Sequence, residues 1–326
     1  MKLLKLVPDN TNIHFLRWQW PFFISNILAM IAAVVLLFTH GLNLGVDFVG
    51  GQMIRATFVE NSAAPVAELR DKVGSLGYGE PIIQQFGKPN EVSIRMKLPE
   101  GSEQHAELAD AMANKITSTL KQAYPGVRID GVDSVSGKVS GELFKTGMLA
   151  LVLAMVGISI YIWARFEWQF GVGALFALVQ DLLLTIGMFS LTQMEFDLNI
   201  VAALLTLLGY SLNDKIVVYD RIRENLKKYR KMPVPELLDL SVNETLSRTV
   251  ATSLAVLIML VSLLLLGPEV IFGFTAAITL GIFVGTYSSI FMSAPILIWL
   301  GVTSASFVPA ETVAEKQDKA VARGEA

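Results

Sequence analysis

Six long apolar runs divide the chain, at positions 22–39, 147–164, 170–191, 198–219, 250–266 and 270–300. A helix of about 20 mostly apolar residues crosses the hydrocarbon of a bilayer, so this pattern predicts six transmembrane helices. The last run is longer than a crossing needs and is expected to tilt or to continue past the bilayer. The first follows Arg17 and the interfacial pair Trp18 and Trp20. It exceeds the roughly 7–15 apolar residues of a cleavable leader and runs into GLNLG without a small-x-small cleavage site. It is read as an uncleaved first span.

Between the first two spans the period of the pattern changes. Residues 51–60 alternate as a strand does, 65–76 form an amphipathic helical stretch, and 81–86 and 91–98 read as two strands around the turn GKPN. A longer helix is predicted over 103–123 and a last strand over 127–132. The order βαββαβ is the ferredoxin-like split βαβ arrangement, an antiparallel sheet with helices on one face. The expected organisation is therefore an N-terminal segment 1–21, a first span 22–40, a ferredoxin-like domain with connectors 41–143, and five further spans within 144–303. A loop is expected near 220–247. The tail 304–326, rich in Ala and alternating charge, has no apolar face and is expected to be disordered. The fold class is a polytopic α-helical membrane protein carrying one α+β domain.

Composition agrees with this class. Hydrophobic residues make up 53% and charged residues 17%, with a mean hydropathy of +0.53, whereas soluble domains carry about 25% charge. A net charge of −3 points to no nucleic-acid partner. The absence of cysteine excludes disulfides, thiolate metal sites and Cys catalysis. Basic residues set orientation. Lys2, Lys5, Arg17, Arg165, Arg221, Arg223, Lys227, Lys228, Arg230, Lys231 and Arg248 fall on one side, while the short loops 192–197 and 267–269 hold none. Both termini are thus expected in the cytoplasm and the ferredoxin-like domain outside.

Three tempting motifs fail. VSGKVS around Lys138 lacks the G-x4-GK-[ST] spacing of a phosphate loop, since Gly131 lies one residue too far back and Val139 follows the lysine. An intramembrane aspartyl protease needs two carboxylates that share a proton. Asp181 and Asp214 are the available pair, but Gly-x-Gly-Asp is missing and Asp220 falls among cytoplasmic charges. In the α+β domain, His105 stands alone on a polar helix. No nucleotide or hydrolase chemistry is expected.

The unusual chemistry lies inside the fourth run, LLGYSLNDKIVVYDRIRENL, where Asn213, Asp214 and Lys215 are consecutive. Asp214 lies roughly 24 Å from the outer end of its helix at 1.5 Å per residue. A carboxylate in hydrocarbon costs about 2.5–3.5 kcal/mol on the lenient insertion scale, so it must face other helices or water. Thr206, Tyr210 and Asn213 are expected to form a polar stripe beside it. Arg248, at the start of the antiparallel fifth span, enters at nearly the same depth, and Asp181 in the third span sits nearer mid-bilayer. Burial favours the neutral form of a carboxylic acid and a neighbouring guanidinium the charged form. Rearranging such neighbours would load and release a proton. A static ion pair of Asp214 with Arg248 or Lys215 is the structural alternative. Lys215 is expected to snorkel to the cytoplasmic surface, and Ala277, Gly281 and Gly285 to form an ordinary packing face.

GVDFVGG at 45–51, ALVQDLLLTIG at 177–187, FDLNIVAALLTLLGYSLNDKIVVYDRIREN at 196–225 and ETLSRTVATS at 244–253 together resemble the SecF family of the bacterial protein-export machinery. The resemblance covers nearly the whole chain apart from the tail. It implies one half of a twelve-helix unit of the resistance–nodulation–division type, placed in the inner membrane with its α+β domain in the periplasm. It also implies SecD as the other half, and SecYEG, SecA, YajC and YidC as further partners, with unfolded secretory polypeptide as cargo. The implied role is to use a transmembrane ion gradient, of protons or of sodium and without a bound cofactor, to assist translocation. On this resemblance Asp214 is the coupling carboxylate and Arg248 its arginine, with Asn213 and Asp181 in the same relay. Gly45, Asp47, Phe48, Gly50 and Gly51 form a turn or coupling hinge into the periplasmic domain. Two departures from the family pattern, Gln180 in place of His and Lys215 in place of a small polar residue, mark these positions as modulators of the operating pH or the ion used. The remaining alternatives are a non-conducting scaffold for the channel complex and a small-molecule or lipid exporter of the same superfamily.

Overall fold

The computed structural model describes residues 8, 11–60, 63–85, 88–97, 106–268 and 271–303. Lys2, Lys5, Phe86, Leu98, Glu103, His105, Glu269 and the tail 304–326 lie outside the described residues. A 3-10 turn, Phe15–Trp18, leads into α1 (Gln19–Thr39), and one helical turn, α2 (Val46–Val49), leads into the sheet domain. That domain runs β1 (Gly51–Phe58), α3 (Val66–Gly74), β2 (Ile82–Gln85), β3 (Glu91–Met96), α4 (Ala106–Ala123) and β4 (Val127–Val135). The bundle continues as α5 (Gly137–Arg165), α6 (Trp168–Thr192), α7 (Leu198–Lys228), α8 (Val234–Leu266), α9 (Phe272–Phe291) and α10 (Ser293–Trp299). Six helical stretches among the described residues are long and apolar enough to span a membrane.

The four strands pair antiparallel in the order β2-β3-β1-β4. Alternation along β1 sends Ile54, Ala56 and Phe58 into the core with Leu69 and Val73 of α3 and Met112, Ile116 and Leu120 of α4. Arg55 and Thr57, with Ser93 and Arg95 of β3, belong to the opposite, polar face. A bulge at Arg55/Ala56 leaves Asp130 of β4 unpaired in the ladder, and its carboxylate accepts from Thr57 at 2.5 Å. The polar face looks across a cavity of about 560 Å3 toward the loop 192–197 at the end of the bundle.

Within the bundle, α6, α7 and α9 are the most enclosed, whereas the most apolar stretches of α1, α5 and α8 have few buried residues. Small residues allow the close approach of the central helices. A Cβ on Gly281 would meet Leu207 at 2.5 Å, and one on Gly187 would meet Ala33 at 2.5 Å. Two expectations change. The sixth run is one candidate span but not one continuous helix. Helix α9 ends at Phe291 and α10 begins at Ser293, because Pro295 has no N–H for the carbonyl of Phe291 and its ring crowds that turn. The segment 220–247 is likewise no open loop, since α7 and α8 run on as a helical pair joined by 229–233. Leu226, Leu237 and Leu238 are buried between them, Arg221 pairs with Glu244 at 2.7 Å, and Asn225 donates to Ser241 and Glu244.

Candidate intramembrane charge site

The consecutive charges of α7 point in different directions, because each residue turns about 100° around a helix. Asp214, 3% exposed, faces α8, where the Ser253 hydroxyl donates to Oδ2 at 3.5 Å. Ser253 shares a 2.7 Å hydrogen bond with Thr286 of α9. Among the described residues no ion pair reaches Asp214; its neighbour Lys215 and, more weakly, the exposed Arg248 act on the carboxylate through space alone. Asn213 is also exposed. It shares a face of α7 with Thr206, seven residues earlier, and Arg248 and Thr252 of α8 are exposed as well, so the chain itself leaves these polar groups uncovered. Tyr210 of α7 is half-buried, its hydroxyl without a partner.

Lys215 departs from the expectation that it snorkels. Its side chain is fully buried, and Nζ lies 2.7 Å from Asp181 Oδ2, 2.5 Å from Ser211 Oγ and 3.1 Å from Ser288 Oγ. The direction of Lys215 on α7 explains this. It projects inward between α6 and α9, and a carboxylate waits within reach, so pairing satisfies the ammonium without extension to the surface. Ser211 also donates to Asp181, and Thr185 holds the Asp181 carbonyl at 2.8 Å. Gly285 belongs to the same arrangement, because a Cβ there would lie 2.8 Å from Ser211 Oγ and 3.6 Å from Asp181 Oδ2. Its role is more particular than ordinary packing. Gln180, beside Asp181, is fully buried and donates to Asn26 of α1 at 2.6 Å, while Asn26 donates to Tyr287 at 3.0 Å. Gln180 therefore ties α1 to α6 and α9 by neutral hydrogen bonds.

Sequence reasoning leaves out Ser211, Ser288 and Asn26. Ser211 was legible as the i−4 neighbour of Lys215, and Asn26 as the one amide inside the first apolar run. Ser288 had no such signal, since its part depends on how α9 packs across α7.

The segment 45–51 forms a second polar junction, where the sheet domain meets the bundle. Leu44 pairs with Phe196 in an isolated parallel bridge, and Gly45 N donates to Phe196 O at 2.9 Å. Asp47 accepts from Leu198 N at 3.0 Å, adding an external cap to α7, which Asp197 caps through Ile200 N at 3.1 Å. Phe48 packs edge-on against Phe144 and also against Phe196. Gly50, at φ +75 and ψ 165, lies in a region that only glycine adopts freely, and a Cβ there would sit 3.0 Å from Gly137. Gly51, at φ +121, would bring a Cβ to 2.6 Å from the Met96 carbonyl. VSGKVS is thus the start of α5, where Ser136 accepts from Val139 N and Gly137 packs on Gly50.

Across this junction Arg95 donates to Asn43 Oδ1 at 3.0 Å and to Leu44 O at 2.8 Å, with its other nitrogen 3.2 Å from Glu195 Oε1. The last contact is one of charge rather than an aligned hydrogen bond, since Glu195 Oε1 accepts none. Burial pushes the Glu195 carboxyl above its ordinary range against the opposing pull of Arg95. Burial raises Asp197 as well, with Asp47 adding to it and the Ile200 and Asn199 hydrogen bonds opposing. Among the described residues, no group of three or more His, Cys, Asp or Glu is placed to hold a metal ion.

Residues 115–303 match the family described as Protein export membrane protein SecD/SecF, C-terminal, and residues 35–60 match the SecD/SecF GG Motif. The chain is 45% identical to the protein translocase subunit SecF of Rhodobacter capsulatus, over 91% of this chain and 92% of that one. It is 39% identical to the SecF subunit of Rickettsia bellii, over 90% and 95%. A crystal structure of SecDF from Thermus thermophilus, described as a translocon-associated membrane protein, superposes with a TM-score of 0.77 at 33% identity, and SecDF in a super-membrane-facing form with 0.63 at 31%. The matches cover 90% and 97% of this chain but only 39% and 40% of the SecDF chains, so it spans about two fifths of their length. In sequence, helix count, sheet domain and glycine junction alike, this chain belongs to the SecF family of protein-export membrane proteins.

Proposed function

We propose that the chain joins a SecD subunit to complete a two-half bundle, and couples ion flow down the transmembrane gradient to Sec-dependent export of unfolded polypeptide. The observation that carries this reading is Asp214, a carboxylate 3% exposed whose one side-chain hydrogen bond among the described residues, from Ser253, is 3.5 Å long. Such a group can gain and lose a proton without breaking an ion pair. The exposed polar groups of Thr206, Asn213, Arg248 and Thr252 support a protein partner beside them, since polar groups at bilayer depth face protein or water. With SecD in place, Arg248 and Asn213 complete the surroundings of Asp214.

The basic residues at the end of the bundle opposite the sheet domain support cytoplasmic termini and a periplasmic sheet domain in the bacterial inner membrane. SecYEG and SecA are the assemblies it assists, and YajC and YidC are further neighbours. The junction at Gly45–Gly51 passes movement between bundle and sheet domain. One elementary charge crossing 100 mV supplies about 2.3 kcal/mol, enough to shift a two-state equilibrium without nucleotide.

The test uses membrane vesicles in which the ATP-driven motor is stopped part-way and an ion gradient is then imposed. Asp214→Asn and Arg248→Ala should abolish the gradient-dependent completion of translocation. A scaffold role is favoured by one observation, the buried Lys215–Asp181 pair, which resembles a fixed structural tie through Asp181 Oδ2 while Oδ1 has no partner. It predicts that Asp214→Asn vesicles respond like the parent, an outcome that would reject the relay.

A further inference from the structure

Lys215 is the buried charge that the relay reading does not use. Its ammonium has three N–H donors, and three oxygens lie within reach: Asp181 Oδ2 on α6, Ser211 Oγ on α7 and Ser288 Oγ on α9. All four residues are at most 1% exposed. A carboxylate and two hydroxyls converging on one point are hard oxygen donors of the kind that bind small cations. Here the point is filled by a nitrogen on a covalent stem. Gly285 keeps open the room that Ser211 and Asp181 occupy.

The other charges near this point are few. Asp181 faces Lys215 from α6, and Asp214 is its neighbour on α7 but turns toward Ser253. Helix α9 contributes the hydroxyl of Ser288, and Arg248 of α8 lies on the exposed side. The Asp181 charge is therefore compensated from within the chain.

We propose that Asp181, Ser211 and Ser288 form a cradle for a small monovalent cation, which Lys215 fills as a tethered cation, so that sodium has no site beside Asp181.

Thermal unfolding of the purified full chain, in choline chloride against sodium chloride at equal ionic strength, tests the cradle directly. A ligand that binds only the native state raises the midpoint in proportion to its saturation. The parent should show no sodium-specific shift. Lys215→Met and Lys215→Thr, which empty the cradle and leave its carboxylate, should each gain a saturable, sodium-specific rise of a few degrees. Lys215→Met/Asp181→Asn should lose it. The proposal is overturned by a sodium-specific shift in the parent, by none in either single variant, or by one that persists in the double variant. It is equally overturned if both single variants fail to fold even in sodium while the double variant folds.

Discussion

Asp181 and Asp214 are nearly equally buried, at 0% and 3% exposure, on neighbouring helices of one bundle, yet their surroundings are opposite. Asp181 touches an ammonium and a hydroxyl that also touch each other. Asp214 has one long hydrogen bond from Ser253 and borders a face that the chain leaves open. A buried carboxylate must be paired or be able to take up a proton, and the two residues represent the two solutions. The pair at Asp181 is suited to holding helices in place. The lone group at Asp214 is suited to changing state.

The sharpest way to break this contrast is to remove the ammonium. Lys215→Met leaves Asp181 unpaired in the interior, and breaking a buried pair from one side costs about 3–5 kcal/mol. A large fall in the unfolding midpoint in detergent is expected, with most of it recovered in Lys215→Met/Asp181→Asn. Asp214→Asn removes no ion pair and should change stability by less than about 1 kcal/mol, while abolishing the gradient response. Equal destabilisation by the two single variants would erase the distinction.

The next effect concerns the other polar region, the junction. Gly51→Ala places a Cβ 2.6 Å from the Met96 carbonyl at a φ of +121, and Gly50→Ala one 3.0 Å from Gly137 at a φ of +75. Backbone held in such regions costs on the order of 1–3 kcal/mol per residue, and the clash with backbone at Gly51 adds to it. Both should increase hydrogen exchange at Gly45 and Phe196, whose amides tie the junction together, and leave the Lys215 environment unaltered. Protection unchanged at these amides would show that the glycines do not hold the sheet domain against the bundle.

Gly285→Ala, close to Ser211 Oγ, overpacks the inner site. A change of about 1–3 kcal/mol is typical of an added methyl group in a filled interior. It should act on the Lys215–Asp181 pair and spare Asp214, so its destabilisation should shrink in the Lys215→Met/Asp181→Asn background. Full additivity would mean that Gly285 merely spaces α9 from α7.

Much of this architecture was legible along the chain. Apolar runs of spanning length give the six helices, and the switch to period two gives β1 and β3, because hydrocarbon thickness and pleat geometry both leave direct periodic traces. The break at Met292 was readable from Pro295. The fate of Lys215 was not. Proximity to the basic end of the helix favoured the surface, whereas its direction around α7, and an acidic partner 34 residues earlier in the chain, decided for the interior. Tertiary packing sets which face of a helix is inside, and Asn213 lies on the outside for the same reason.

The smallest effect sharpens the comparison by asking whether the junction titrates as the lone Asp214 is proposed to do. Glu195 and Asp197 both lie outside the spans, and burial raises both above their ordinary values of 4.5 and 3.8. A carboxyl whose native pKa is raised binds its proton more readily folded than unfolded. Its contribution to stability is therefore complete below the unfolded value and is lost as pH rises through the raised native value. Glu195→Gln keeps the shape beside Arg95 and removes one of the two titrations, so the fall in unfolding midpoint as pH rises above about 4.5 should become shallower. Asp197 contributes part of the slope that remains, and Glu195→Gln/Asp197→Asn should make the profile shallower still. If Glu195→Gln leaves the profile as steep as the parent's, then the charge contact with Arg95 outweighs burial at this carboxyl, and the junction is a fixed tie like Lys215–Asp181.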